Sequence, residues 1–241
     1  MLHKTRGIVL KSTPYSESSL VVHIYTESFG MQSYLLQGVR KNKSKIRPSM
    51  LQNLQLLDMV VYHKENSGLQ RISELKANPV FHSISIDIVK TSLGLFICEL
   101  LYNTLKEQQQ DEQLFEFVYN SIKLLDLTEG NVANFHLWFL LKYSKHLGFF
   151  PHNNYTDHTK YFDLREGIYV PSMPTHPQFL DEFHTQILSY LHYNSWDELK
   201  VLKLSPEQRK KMLLELLNYY STHIENFKSL KSHHILEEVL L

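Results

Sequence analysis

The sequence predicts an α+β protein in which a small five-stranded barrel precedes an all-α region. Three features predict it: short β-branched runs parted by turn residues up to about residue 80, a change of apolar period from two to three-and-four after it, and a tract from about 150 to 176 that follows neither period.

The first runs are Gly7–Lys11, Leu20–Thr26 and Ser33–Gln37, with Gly30 parting the second from the third. Two more, Gln55–His63 and Gln70–Leu75, flank Asn66-Ser67-Gly68, a turn cluster of the kind that closes a hairpin. Five strands in about 75 residues suit a small closed barrel, and the five-stranded barrel that takes nucleic acid is the OB-fold. Leu93, Phe96, Ile97, Leu100, Leu101 and Leu105 then predict a first helix, and Leu114, Phe117, Val118, Ile122 and Leu125 a second. A third runs from about Asn131 to Leu147, stopped by Gly148 and Pro151. The irregular tract is expected to carry a short hairpin through Tyr161–Leu164 and Gly167–Val170. Helical spacing returns at Leu180–Leu191 and again at Met212–Tyr220, where Ser205 can cap, Pro206 fits the first position and Gln208 can return the hydrogen bond. The expected division is a barrel domain at 1–80 and a helical domain at 81–241, parted near Asn78-Pro79, with the insertion at about 150–176.

The length of 241 residues and 43% hydrophobic content suffice for a full core. No signal peptide and no run of eighteen apolar residues is present, so a soluble, cytoplasmic protein without a membrane role is expected. One cysteine, Cys98, excludes an intrachain disulfide and a multi-cysteine zinc site, and among apolar helical neighbours it reads as a core filler.

Charge is neutral overall, at 25 Lys and Arg against 25 Asp and Glu, yet it is sorted along the chain. Residues 1–80 hold 11 basic and 5 acidic side chains, and the remainder 14 and 20. Within Gly38–Arg47 stand Arg40, Lys41, Lys43, Lys45 and Arg47 with no acidic neighbour. A solvated turn is the plain reading, but five crowded cations repel one another, whereas on DNA each would neutralise a phosphate and release a counterion. Lys4, Arg6 and Lys11 are candidates to extend the patch. Tyr15, Tyr25, Phe29, Tyr34 and Tyr62 are candidates for base stacking, although alternation alone does not say which face each occupies.

Other chemistry finds little support. His152, Asp157, His158 and His176 match no familiar ligand spacing, and His233-His234 reads as surface, so neither metal nor cofactor is expected. Phosphate-cradling glycine loops, the Gly-x-Ser-x-Gly elbow and His-Glu-x-x-His are all missing, and no enzyme is expected.

Four segments carry a family resemblance. Pro14–Thr26 followed by Gly30, the basic run Gly38–Lys45, Phe139–Pro151 and Leu230-Lys231-Ser232 together resemble the bacterial RecO recombination-mediator proteins in order and spacing. Many relatives follow the Gly-x-x-Pro with a four-cysteine zinc module; this chain has Asn153, Asn154, Tyr155 and Asp157 there. The resemblance therefore implies a zinc-free variant, its insertion held by polar and aromatic packing around Tyr161–Leu164. It also implies binding to single- and double-stranded DNA, strand annealing, association with RecR and, indirectly, a role in loading RecA. Docking of the single-strand binding protein's tail on the helical domain is implied too, with Lys142 and Lys145 on the corresponding helix; ordinary solvated lysines are the competing reading. The expectation is thus a non-enzymatic DNA-binding mediator of DNA repair. The alternative is a protein-interaction scaffold whose basic loop docks acidic peptides.

Overall fold

The computed structural model describes residues 1–39, 46–65, 67–105 and 110–240. They form two compact units, Met1–Leu127 and Thr128–Leu241.

The first unit is built on an antiparallel sheet of β1 (Leu2–Pro14), β2 (Leu20–Thr26), β3 (Gly30–Leu36), β4 (Leu56–Tyr62) and β5 (Arg71–Ala77), ordered β3-β2-β1-β4-β5. Its ends meet where Gln70 donates to the Ser33 carbonyl at 2.8 Å and accepts from the Leu35 amide at 3.0 Å, which closes the OB barrel. Inward residues alternate along each strand, and Val9, Val22, Ile24, Tyr34, Leu57 and Val61 are fully buried inside. β1 is much longer than the run Gly7–Lys11 suggests. Gly7 is no strand boundary: a Cβ there would stand 2.5 Å from the Met59 methyl and 2.7 Å from Ile24, so glycine lets those side chains cross mid-strand.

Two helices, α1 (Ile88–Thr104) and α2 (Glu112–Leu127), complete this unit. Cys98 fills the α1–barrel contact as expected of a core residue: it is 2% exposed, its sulfur lies 3.6 Å from the Val9 carbonyl, and burial pushes its thiol up to about 12. The segment joining β5 to α1 is pinned by Asp126, whose carboxylate accepts from the amides of His82, Ser83 and Ile84.

The second unit surrounds α3 (Phe135–His146), whose residues 135–141 are all buried, as befits a helix apolar on every side. α4 (Glu182–Tyr193), α5 (Trp196–Leu199) and α6 (Pro206–His223) pack around it, and α7 (Ser232–Val239) follows. Ser205 and Gln208 form the anticipated capping box on α6. The insertion folds as a three-stranded sheet of β6 (Tyr161–Asp163), β7 (Ile168–Val170) and β8 (Phe179–Leu180), so the anticipated hairpin gains one further strand. Its supports are polar and aromatic: Phe162 against Tyr169 at 4.9 Å, the Tyr169 hydroxyl 3.1 Å from His192 Nδ1, and Asn154 bonded to both backbone groups of Tyr169.

Candidate nucleic-acid interface

The interface is framed by Val39 and Ile46, the described residues on either side of the basic run. Val39 is 2% exposed, and both Val39 and Ile46 pack into the barrel core on either side of that run. Gly38, at φ 71°, makes the turn that a side chain would strain. Arg40, Lys41, Lys43 and Lys45 lie outside the described residues. Arg47 is exposed at the head of a short 3₁₀ turn, Pro48–Leu51, and among the described residues it has no carboxylate partner. That turn is tied to β1, where the Ser12 hydroxyl donates to the Leu51 carbonyl at 2.8 Å.

Register places the β1–β2 hairpin at the same barrel end. Pro14 pairs with Leu20, and Leu20 with Leu36, two residues before Gly38. Tyr15 caps this hairpin, 65% exposed, with its amide donating to the Ser19 carbonyl at 3.0 Å. Lys11 follows the β1 bulge between Val9 and Lys11, and its exposed ammonium stands 4.7 Å above the Tyr102 ring. Opposite Lys11, His23 bonds through Nδ1 to the Ser33 hydroxyl at 2.9 Å; burial first, then Lys11, lowers its pKa, which keeps that ring neutral. The arrangement joins an aromatic face, two exposed cations and the two stems of the basic run.

The other sequence candidates separate from this end. Lys4 lies nine residues before Thr13 on β1, about 30 Å at the usual strand rise. It lines a groove of about 490 Å³ with Glu27, Asp58 and Glu74 facing Arg6 and Lys76. Arg6 is engaged within its own unit. Its guanidinium donates to Glu27 at 2.9 and 2.7 Å and to Glu116, and stands 4.8 Å from the Tyr119 ring and 5.2 Å from that of Phe115. Two carboxylates of its own chain thus pair with the Arg6 guanidinium. Of the stacking candidates, Tyr25 and Tyr34 are buried and Phe29 is stacked on His63 at 3.9 Å, whereas Tyr62 is 50% exposed.

Sequence reasoning missed Arg71. It stands directly across from Tyr62 in the β4–β5 register, exposed, so a cation and an aromatic ring share one outward row. Period-two alternation from Tyr62 across the hairpin was the available signal, but the register needed to pair them was not.

On the second unit, Lys142 and Lys145 diverge. Lys142 donates to the His192 carbonyl at 2.7 Å in the last turn of α4, where a cation meets orphaned carbonyls, and burial lowers its pKa. Lys145 is exposed. In the insertion, His176 pairs with Asp163 at 3.1 Å, and among the described residues no metal-sized grouping unites His152, Asp157, His158 and His176. Among the described residues, no helix is long and apolar enough to cross a membrane.

A family model described as "Recombination protein O N terminal" matches residues 1–80, and one described as "Recombination protein O C terminal" matches residues 86–233. The chain is 34% identical over 241 residues to the "DNA repair protein RecO" of Azobacteroides pseudotrichonymphae, covering 99% of each. It is 34% identical over 237 residues to the protein of that name in Flavobacterium psychrophilum, with 98% of each covered. The one in Phocaeicola vulgatus is 31% identical over 239 residues, with 99% of each covered.

Proposed function

The chain belongs to the RecO family of DNA repair proteins, and from that premise we propose that it serves DNA repair as a non-enzymatic mediator that grips the sugar-phosphate backbone at one end of its barrel. Arg40, Lys41, Lys43, Lys45 and Arg47 form the phosphate contact, Lys11 extends it, and Tyr15 stacks on unpaired bases. Lys4 and Arg6 stay outside the contact, because carboxylates of the same chain stand beside them.

The observation that carries the reading is the anchoring of Val39 and Ile46 in the core on either side of a run with no acidic residue, next to an exposed tyrosine on the adjoining hairpin. Phosphate neutralisation binds single and double strands alike, and screening of two backbones at once favours annealing of complementary strands. On this reading residues 1–80 contact DNA and residues 81–241 recruit partners: RecR, the tail of the single-strand binding protein near Lys145, and through them RecA. The protein works in the cytoplasm, at the nucleoid.

The test is a titration of fluorescent single-stranded DNA at two salt concentrations. Replacing all five cations by alanine is expected to reduce the slope of log affinity against log salt by about 3 to 4 and affinity by on the order of a hundredfold or more. An unchanged slope rejects the loop as the contact. Saturation by a short acidic peptide with no DNA binding would favour the scaffold alternative.

A further inference from the structure

The DNA-binding reading leaves one set of ligating side chains unused, on α7. His233, His234 and Glu237 each present a ligand atom, and the three atoms lie within 4.8 Å of one another. Helical spacing brings them together: Glu237 stands one turn beyond His233 and three residues beyond His234, so the carboxylate faces the same side as the imidazoles. The two rings are 3.9 Å apart between centroids.

A second observation concerns the protons. His233 Nδ1 is hydrogen-bonded to the Leu230 carbonyl, which can only accept. Nδ1 is therefore the donor in this bond, and Nε2 is the nitrogen that faces away from it. A ring nitrogen donating to a backbone carbonyl is how proteins orient a histidine for metal ligation. Glu237 is largely enclosed, its side chain 18% exposed, and it meets Lys210 of α6 at 3.0 Å. Lys210 is 55% exposed, so its ammonium can turn to water when a cation takes its place. The other charged groups nearby are Glu238 on α7 and, from α6, Glu207 and Arg209, which with His234 and Glu237 line a cavity of about 290 Å³.

We infer that His233, His234 and Glu237 form a divalent-cation site of the zinc class, two imidazoles and one carboxylate leaving the fourth position to water. Nitrogen donors select against magnesium and calcium, and a three-ligand set suits tetrahedral zinc. Bound metal clips one turn of α7 and displaces Lys210 from Glu237.

The experiment uses the full chain stripped with chelator and titrated with zinc against a chromogenic indicator at neutral pH, then with cobalt to read its visible ligand-field bands. About one equivalent is expected to bind, with bands of four-coordinate geometry. His233→Ala, His234→Ala and Glu237→Gln should each weaken binding about tenfold or more. Lys210→Ala, which removes the competitor and no ligand, should tighten it. A His152→Ala/His158→Ala/His176→Ala variant should bind as the parent does, and circular dichroism verifies that each variant is folded. The inference is overturned if the parent binds no tighter than the His233→Ala/His234→Ala/Glu237→Gln variant, if Lys210→Ala weakens binding, or if the insertion histidines prove to carry it.

Discussion

Arg6 and Arg47 belong to the same barrel and carry the same charge, yet their surroundings differ in kind. Arg6 lies in a cage of two carboxylates and two aromatic rings, whereas Arg47 stands exposed beside a run that holds four more cations and no acid. The second unit repeats the contrast, with Lys142 bound to a helix-terminal carbonyl and Lys145 in water. The lesson is that a cation's partners, more than its sign or its place in a basic segment, decide whether it holds the fold or is available to a polyanion.

The largest expected effect concerns acid and lies at His192, the residue that Lys142 holds. His192, whose carbonyl Lys142 holds, has its imidazole pushed down to about 4 by burial first and by Lys142 second; His136 is pushed to about 3 by burial and then Arg209. Both are depressed below the usual 6.5, so below that pH the unfolded chain takes up protons that the folded chain refuses. Stability is therefore complete above about 6.5 and falls as pH drops towards 4, by about 3 kcal/mol for His192 alone. Denaturant melts between pH 7.5 and 4.5 should show this loss, and His192→Gln should remove much of it. Lys142→Met is expected to cost about 1 kcal/mol at neutral pH through the orphaned carbonyl, and to shift the acid limb to higher His192 pKa, so that the loss on acidification becomes smaller. A Lys142 variant that loses no stability at either pH would break the distinction from Lys145.

Arg6 comes next. Arg6→Met leaves Glu27 and Glu116 facing each other and gives up the ring contacts, at a cost of about 2 kcal/mol to the first unit. The Glu27 carboxyl, held low chiefly by its hydrogen bond from Arg6, should return towards its ordinary range, so the variant's deficit appears above about pH 4.5 and shrinks in acid. DNA affinity of the folded variant should change less than about twofold. A loss of salt slope would move Arg6 back among the phosphate contacts.

Tyr15 sharpens the contrast at the exposed end. Tyr15→Ala removes a side chain that is 65% exposed, so melting should change little, while single-strand affinity falls by about tenfold and duplex affinity by less. Equal losses on both would point to a packing role for the hairpin instead of stacking.

What the sequence made legible follows from how local each signal is. β2 and the Ser205-Pro206-Gln208 helix start were readable to the residue, and the β6–β7 hairpin to within one residue of each strand, because alternation, capping and turn chemistry act within a few positions. β1 was read short because a glycine inside a strand looks like its end unless the side chains of Met59 and Ile24 that need the space are known. β8 and α5 escaped because two and four residues carry no period. The fate of Arg6 was invisible for another reason: Glu27 and Glu116 come to it from a neighbouring strand and from α2, positions that only tertiary packing relates. The faces of Tyr25 and Tyr34 likewise waited on register.

The smallest expected effect is at Lys4, and it tests the contrast most sharply because, among the described residues, no ion pair holds it. Its groove carries Glu27, Asp58 and Glu74 against Lys4, Arg6 and Lys76, so the local field is close to balanced. It also lies about 30 Å along β1 from the hairpin end, several screening lengths at physiological salt. Lys4→Ala should therefore change DNA affinity by less than about twofold and leave the salt slope alone, whereas Arg47→Ala, without an acid nearby, should lower the slope by roughly one contact's share, about 0.7 to 0.9. Glu74→Gln offers the converse: if neighbouring carboxylates are what silence this face, removing one should raise affinity at low salt and make a second substitution, Lys4→Ala, detectable on that background. Should Lys4→Ala lower the slope as much as Arg47→Ala in the parent protein, a balancing carboxylate would no longer distinguish idle cations from working ones.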